Sequence, residues 1–133
     1  MSGCVLDTDV VIAALDRRDA HHTRAATAIT TMIEADTELL LSLVNYAETL
    51  VKPAESEQTL RAAIGALTAL GIRLVAPNAS IARDAARLCG LNISLADGFA
   101  IATAQARGAS LASFDIRVQR ALRSTGVAPA PGL

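Results

Sequence analysis

Apolar positions switch between two spacings along this chain, and the switches mark its elements. Gly3 to Leu6 is a short continuous apolar run, the pattern of a buried strand, and Thr8 or Asp9 can cap a helix continuing to about Leu15. From His21 or His22 to about Glu34, residues Ala25, Ala28, Ile29, Met32 and Ile33 recur at helical spacing, and Glu38 to Ser42 returns to strand character. Asn45 can start a helix that must end before Pro53. Ser56 opens a further helix, carried by Leu60, Ile64 and Leu67 and closed by Gly71. Ile72 to Val75 is a third strand, broken off by Pro77 and Asn78. Two more helices are predicted, about Ala79 to Cys89 and Ala96 to Arg107, with Gly90 and Gly108 just past their ends. Ser110 to Phe114 is a fourth strand and Ile116 to Ser124 a last helix. A short edge strand near Val127 and a proline-rich tail, 128–133, expected to be flexible, complete the chain.

Strands that alternate with helices predict an α/β fold: a mostly parallel sheet of four to five strands, right-handed crossovers, and helices on both faces. The chain's 133 residues suit one domain, 1–133, and allow a core without disulfide or metal staples. In such folds ligands bind beyond the carboxyl ends of the strands. Asp7 follows the first strand and Asp115 the fourth, so both are expected at that edge.

Composition narrows the class. The apolar fraction of 52% rests on aliphatic residues and alanine, with Phe99, Phe114 and Tyr46 the only aromatics. No apolar run approaches the ~20 residues that span a bilayer, and no basic-then-apolar leader opens the sequence, which predicts a soluble, cytoplasmic protein with no membrane partner. Cys4 and Cys89 have no metal-binding spacing and read as reduced core thiols. A net charge of −1 excludes a strongly basic nucleic-acid binder but leaves room for a local patch or a metal-assisted site. Eleven of the twelve cations are arginine, the exception being Lys52.

Against that background four acids stand out. Asp7 and Asp115 end apolar runs; Glu48 and Asp97 fall on the expected inward faces of helices, Glu48 in line with Val44 and Val51, Asp97 with Ala100, Ile101 and Ala104. Each aspartate has an innocent alternative. Asp7, Asp9 and Asp115 all precede or open helices, where aspartate caps, and Ser94 to Asp97 has the layout of a capping box. Taken together, two inward acids and two at strand ends predict one acidic pocket. Buried carboxylates must be paired, protonated or metal-bound, and since Lys52 is the only lysine and no arginine adjoins three of the four in sequence, a shared divalent cation is the economical way to neutralise them.

Four segments carry a resemblance to a known family: Val5-Leu6-Asp7-Thr8-Asp9-Val10-Val11-Ile12, Tyr46-Ala47-Glu48-Thr49-Leu50, Leu95-Ala96-Asp97-Gly98-Phe99-Ala100-Ile101-Ala102-Thr103-Ala104, and Leu111-Ala112-Ser113-Phe114-Asp115. In order and spacing they resemble the acidic blocks of PIN-domain proteins, and the length matches the VapC-type toxins of bacterial toxin-antitoxin pairs. The resemblance implies a magnesium- or manganese-dependent endoribonuclease, cutting structured RNA such as tRNA or rRNA, that dimerises and is silenced by a cognate antitoxin. It implies that Asp7, Glu48, Asp97 and Asp115 form the catalytic pocket, with Asp7 and Asp97 binding Mg2+ (or Mn2+) directly. Ser113 fits the family's hydroxyl position beside the last acid. Two positions depart from the pattern: Asp9 is either a fifth carboxylate or a cap, and Phe114 replaces a small polar residue. Arg117, Arg120 and Arg123 recur along the last helix as candidate RNA contacts or as a solvated face; His21 and His22 read as exposed helix-start residues. Two rival readings remain at this point. The segment from Asp7 to Val11 also looks like the nucleophile motif of haloacid-dehalogenase-like phosphatases, although the late lysine and closing acidic motif are missing. A catalytically silent PIN-fold binding module is the other.

Overall fold

The computed structural model describes residues 2–133. Four strands, β1 (Gly3–Leu6), β2 (Glu38–Ser42), β3 (Arg73–Val75) and β4 (Ser110–Ala112), form one parallel sheet in the order β3-β2-β1-β4. The helices are α1 (Thr8–Leu15), α2 (His22–Glu34), α3 (Leu43–Leu50), α4 (Glu57–Ala69), α5 (Ala79–Leu88), α6 (Leu95–Arg107) and α7 (Ile116–Leu122).

Successive strand residues point to opposite faces, and apolar residues at both parities let the sheet be buried twice. Cys4, Leu6, Leu39, Leu41 and Ala112 pack with Val10, Ala25, Ile29 and Met32 of α1 and α2 and with Leu67 of α4. Val5, Leu40, Val75 and Leu111 pack instead with Ala100, Ile101 and Ala104 of α6 and Val118 and Leu122 of α7. Outside α6 lies α5, joined to it through Ile81, Ala85 and Ala102. The two helices approach so closely at Gly98 that a Cβ there would stand 2.6 Å from the Ala85 carbonyl oxygen.

The element boundaries follow the local chemistry. Ser56 accepts from Thr59 N at 3.1 Å to cap α4, and Gly71, with φ of 73°, lets the chain leave it. Helix α3 starts at Ser42, whose hydroxyl accepts from Val44 N at 3.3 Å, rather than at Asn45. Asn45 lies within the helix, fully buried. Strand β4 stops at Ala112, shorter than the pattern suggests, because Ser113 to Asp115 turn out of the sheet toward the cap of α7.

The C-terminal segment differs from the flexible tail expected of its sequence. Leu111 N donates to Ala128 O at 3.0 Å, and Ala130 N donates to Leu111 O at 2.8 Å, so the tail pairs along the free edge of β4. Pro129 sits opposite Leu111, where its flanking residues make both bonds and its own missing N–H is not required. The paired residues are these rather than Val127. No helix among the described residues is long and apolar enough to cross a membrane. Cys4 is buried and Cys89 partly exposed, both as free thiols.

Candidate active site

The acids gather where β1 and β4 hand over to helices. Asp7 is the last residue before α1 and caps it, its Oδ1 accepting from Thr8 N at 2.9 Å. Its Oδ2 accepts from Ser113 Oγ at 2.7 Å, across the β1–β4 pair. Ser113 Oγ also accepts from Asp115 N at 3.1 Å, so one buried hydroxyl sets the positions of two acids. Asp115 caps α7 through Arg117 N, at 2.8 Å. Asp97, in the first turn of α6, completes a capping box with Ser94: Asp97 N donates to Ser94 Oγ at 3.1 Å, and Ser94 N donates to Asp97 Oδ2 at 3.3 Å. Three of these acids are therefore helix caps as well as members of the cluster, and the partial positive charge of three helix N-termini falls on them.

Asp9, read from sequence as either cap or carboxylate, is drawn into the group. Its Oδ2 accepts from Phe114 N at 3.1 Å, tying α1 to the turn after β4. Its Oδ1 is buried with no hydrogen-bond partner among the described residues.

Glu48 corrects the helical-wheel expectation. The face of α3 turned to the core carries Asn45 and Thr49, while Glu48 and Val51 are exposed. The eight-residue helix starts from Ser42 directly out of β2, and that junction fixes which face is inward. Glu48 nevertheless reaches the site edge, because Thr8 Oγ1 donates to its Oε1 at 2.6 Å. Thr8 Oγ1 in turn accepts from Asn45 Nδ2 at 3.0 Å, and the same amide donates to Ala96 O at 3.3 Å. The Ala96 carbonyl can only accept, which fixes the amide nitrogen on that side. Asn45 thus bridges α1, α3 and α6, and its own Oδ1 is buried without a donor among the described residues. Neither Thr8 nor Asn45 stands out in the sequence as more than a helix-start residue. The available signal is a pair of polar residues, Asn45 and Thr49, one helical turn apart on what proves to be the inward face.

Electrostatics follow from this crowding. Burial pushes the Asp7 carboxyl up from 3.8 to about 7, and the charges of Asp9 and Asp97 add to the rise, against the hydrogen bonds from Ser113 and Thr8. Asp9 is raised as well, first by burial, then by Asp115 and Asp97 and opposed by the Phe114 and Val10 amides. The only cation bonded to a cluster acid among the described residues is Arg117, 3.4 Å from Asp115 Oδ2. Arg120 and Arg123 lie exposed farther along and beyond α7.

Among the described residues no three His, Cys, Asp or Glu side chains converge closely enough to hold an ion as they stand. The donor chemistry fits a hard divalent cation all the same: the candidates are carboxylate oxygens, two of them raised by burial and mutual charge, and one oxygen of Asp9 lacks any partner.

A parallel α/β sheet with a cluster of acids past the carboxyl ends of β1 and β4 defines an α/β protein with an acidic ligand site. The sequence matches the PIN domain over residues 4–123, and the chain belongs to that family. Its fold is similar to the VapBC2 structure from Rickettsia felis, in complex with a promoter DNA fragment, with a TM-score of 0.71 at 14% identity over 98% of this chain and 95% of that one. It is similar also to VapC20 of Mycobacterium tuberculosis, a sarcin-ricin loop cleaving toxin, with a TM-score of 0.70 at 17% identity over 89% of this chain and 94% of the other. FitAcB from Neisseria gonorrhoeae gives 0.69 at 22% identity, covering 95% of both chains. No curated protein matches the sequence. PIN domains generally use divalent metal ions, and the VapC toxins among them are ribonucleases. The family match over most of the chain displaces the phosphatase reading of Asp7 and Asp9.

Proposed function

We propose that this chain is the toxin of a toxin-antitoxin pair, a divalent-metal-dependent endoribonuclease acting on structured RNA such as tRNA or rRNA. The observation that carries the reading is the joining of Asp7, Asp9, Asp97 and Asp115 by shared charge and hydrogen bonds at one sheet edge, in a PIN domain. Mg2+ or Mn2+, held by Asp7 and Asp97, would neutralise these acids and the scissile phosphate and make water a stronger nucleophile at neutral pH. Glu48 and Asp115 flank the pair and orient water, with Asp9 as an accessory carboxylate. Ser113 holds Asp7 in place, and Thr8 does the same for Glu48. The raised Asp7 carboxyl belongs to the metal-free site; a bound cation would hold Asp7 ionised. Arg117, beside Asp115, with Arg120 and Arg123 farther along and beyond α7, would give the RNA backbone a line of cations leading from the acids. The structures similar in fold include toxin-antitoxin complexes, which supports a cognate antitoxin as partner; a homodimer is proposed on the family resemblance alone.

The test is induced expression in a bacterium with mapping of RNA ends, beside the purified chain incubated with total RNA and Mg2+ or EDTA. Growth arrest with discrete cuts, lost in Asp7→Asn and Asp97→Asn and on chelation, is expected. Undiminished cutting by both variants would remove these residues from the mechanism, and no cutting by wild type under any divalent ion would end the nuclease reading.

A further inference from the structure

Beside the acids lies a cleft of about 410 Å3, lined by Asp9, Ile12, Asp19, His21, Phe114 and Asp115. Its distinguishing component is aromatic. The His21 ring lies on the Phe114 ring with centroids 4.5 Å apart and planes 19° from parallel, and the Arg24 guanidinium stands 5.2 Å from the Phe114 centroid. Phe114, half-buried, packs partly against the core and lines the cleft as well, the only one of the chain's three Phe and Tyr rings to do so. The stack is also anchored: Phe114 N donates to Asp9 Oδ2 at 3.1 Å, and His21 N donates to Asp19 Oδ1 at 2.8 Å.

We infer that this cleft is a nucleobase subsite, in which the base next to the scissile phosphate stacks on the His21–Phe114 pair. The inference rests on the nuclease reading and adds to it a specificity element. Asp9 and Asp115 belong both to the cleft wall and to the acid cluster, so a base held here has its own phosphate within one nucleotide of the acids. Flat aromatic surface of this kind accepts any base, whereas the rim selects. Ionised carboxylates only accept hydrogen bonds, so Asp19 and Asp115 complement the exocyclic amino groups of adenine, cytosine or guanine, each with two N–H donors, better than uracil, whose single N3–H is flanked by two carbonyls that a carboxylate repels. Arg24, charged and exposed, stands where the neighbouring phosphate would pass. A base must be unpaired to enter, which directs the site to loops and bulges rather than to duplex RNA.

His21 and His22 are the only histidines, so their imidazole protons can be followed separately by NMR in the full-length chain with Mg2+. Adenosine 5′-monophosphate and cytidine 5′-monophosphate are expected to shift the His21 protons upfield by ring stacking, with uridine 5′-monophosphate weaker and ribose 5-phosphate without effect. The shift should disappear in Phe114→Leu, which keeps the apolar volume and removes the ring. Equal responses to ribose 5-phosphate and the nucleotides, or none at His21, would overturn the subsite whether or not the chain cleaves RNA. In cleavage, His21→Ala and Phe114→Leu should each lower kcat/KM about tenfold to a hundredfold, the usual worth of one stacked base. That loss should vanish when the nucleotide beside the cut is abasic. An equal loss on the abasic RNA would also refute the proposal, and a wild-type chain that binds the nucleotides yet cuts no RNA would break the nuclease reading alone.

Discussion

Replacing Asp7 by asparagine should make the metal-free protein more stable at mildly alkaline pH while removing its activity. Asp7 is 3% exposed, and its carboxyl is raised from 3.8 to about 7. An acid whose folded value is raised binds its proton more tightly in the folded state, so its stabilising contribution is full below the unfolded value and is lost as pH rises through the folded one. Over that window the wild type loses on the order of 4 kcal/mol from this group alone. The substituted side chain keeps the shape and can still accept from Thr8 N, but its amide places a donor against the Ser113 hydroxyl. Ser113 can turn its proton away and accept, leaving one buried amide N–H unpaired at a cost of about 1–3 kcal/mol. The net effect is a gain of roughly 1–3 kcal/mol at about pH 8, near balance at about pH 5, and a loss of roughly 1–3 kcal/mol at about pH 3.5 and below, where Asp7 is neutral both folded and unfolded. Urea denaturation in EDTA across that range reads both signs. The wild-type curve should slope downward with pH, the variant curve should be flatter, and the two should cross. Parallel curves, or a variant less stable at every pH, would show that Asp7 carries no buried charge and that the electrostatic account of the site is wrong. Adding Mg2+ should stabilise the wild type and leave Asp7→Asn nearly unchanged, since an ion stabilises only the state that binds it.

Three further outcomes are expected. Gly98→Ala should destabilise by about 1–3 kcal/mol or more, since its methyl meets backbone rather than a movable side chain, whereas Gly65→Ala, mid-helix with open space, should stabilise by roughly 0.5–1 kcal/mol; paired thermal melts decide, and a neutral Gly98→Ala would deny the close α5–α6 approach. Thr8→Val and Asn45→Ala should each lower stability by about 1–3 kcal/mol, and the double variant should cost less than their sum by about 0.5–3 kcal/mol, because both break the same hydrogen bond; strict additivity would mean the bridge is not formed. Removing residues 128–133 should cost about 2 kcal/mol from the two Leu111 bonds and expose a strand edge, read as a lower urea midpoint and concentration-dependent light scattering; an unchanged midpoint would return the tail to the flexible state expected from its prolines.

Strand and helix order is legible because each element announces its own period and stop: Gly71 and Gly108 adopt positive φ just where the apolar spacing ends, and Ser56 and Ser94 cap the helices that follow them. The acids are legible for a related reason, since Asp7, Asp97 and Asp115 occupy caps whose positions follow from those boundaries. Glu48 is identifiable, yet its pattern points to the wrong face, because an eight-residue helix has too few turns for an apolar stripe to outweigh the direction in which β2 launches it. The link between Thr8 and Asn45 is hidden because the two are 37 residues apart, and hydrogen bonds of that range leave no local pattern. Composition misleads for the tail: Pro129 cannot donate, yet in a parallel ladder only its neighbours need to.

The central strand is the first one made. β1 lies between β2 and β4, and Asp7 reaches its Ser113 partner across a separation of 106 residues. During synthesis on a ribosome, which adds residues at about 5–20 per second, the acid cluster therefore cannot assemble until Ser113 and Asp115 have emerged. A nascent PIN domain of this design lacks its complete acid cluster until the turn after β4 has been made.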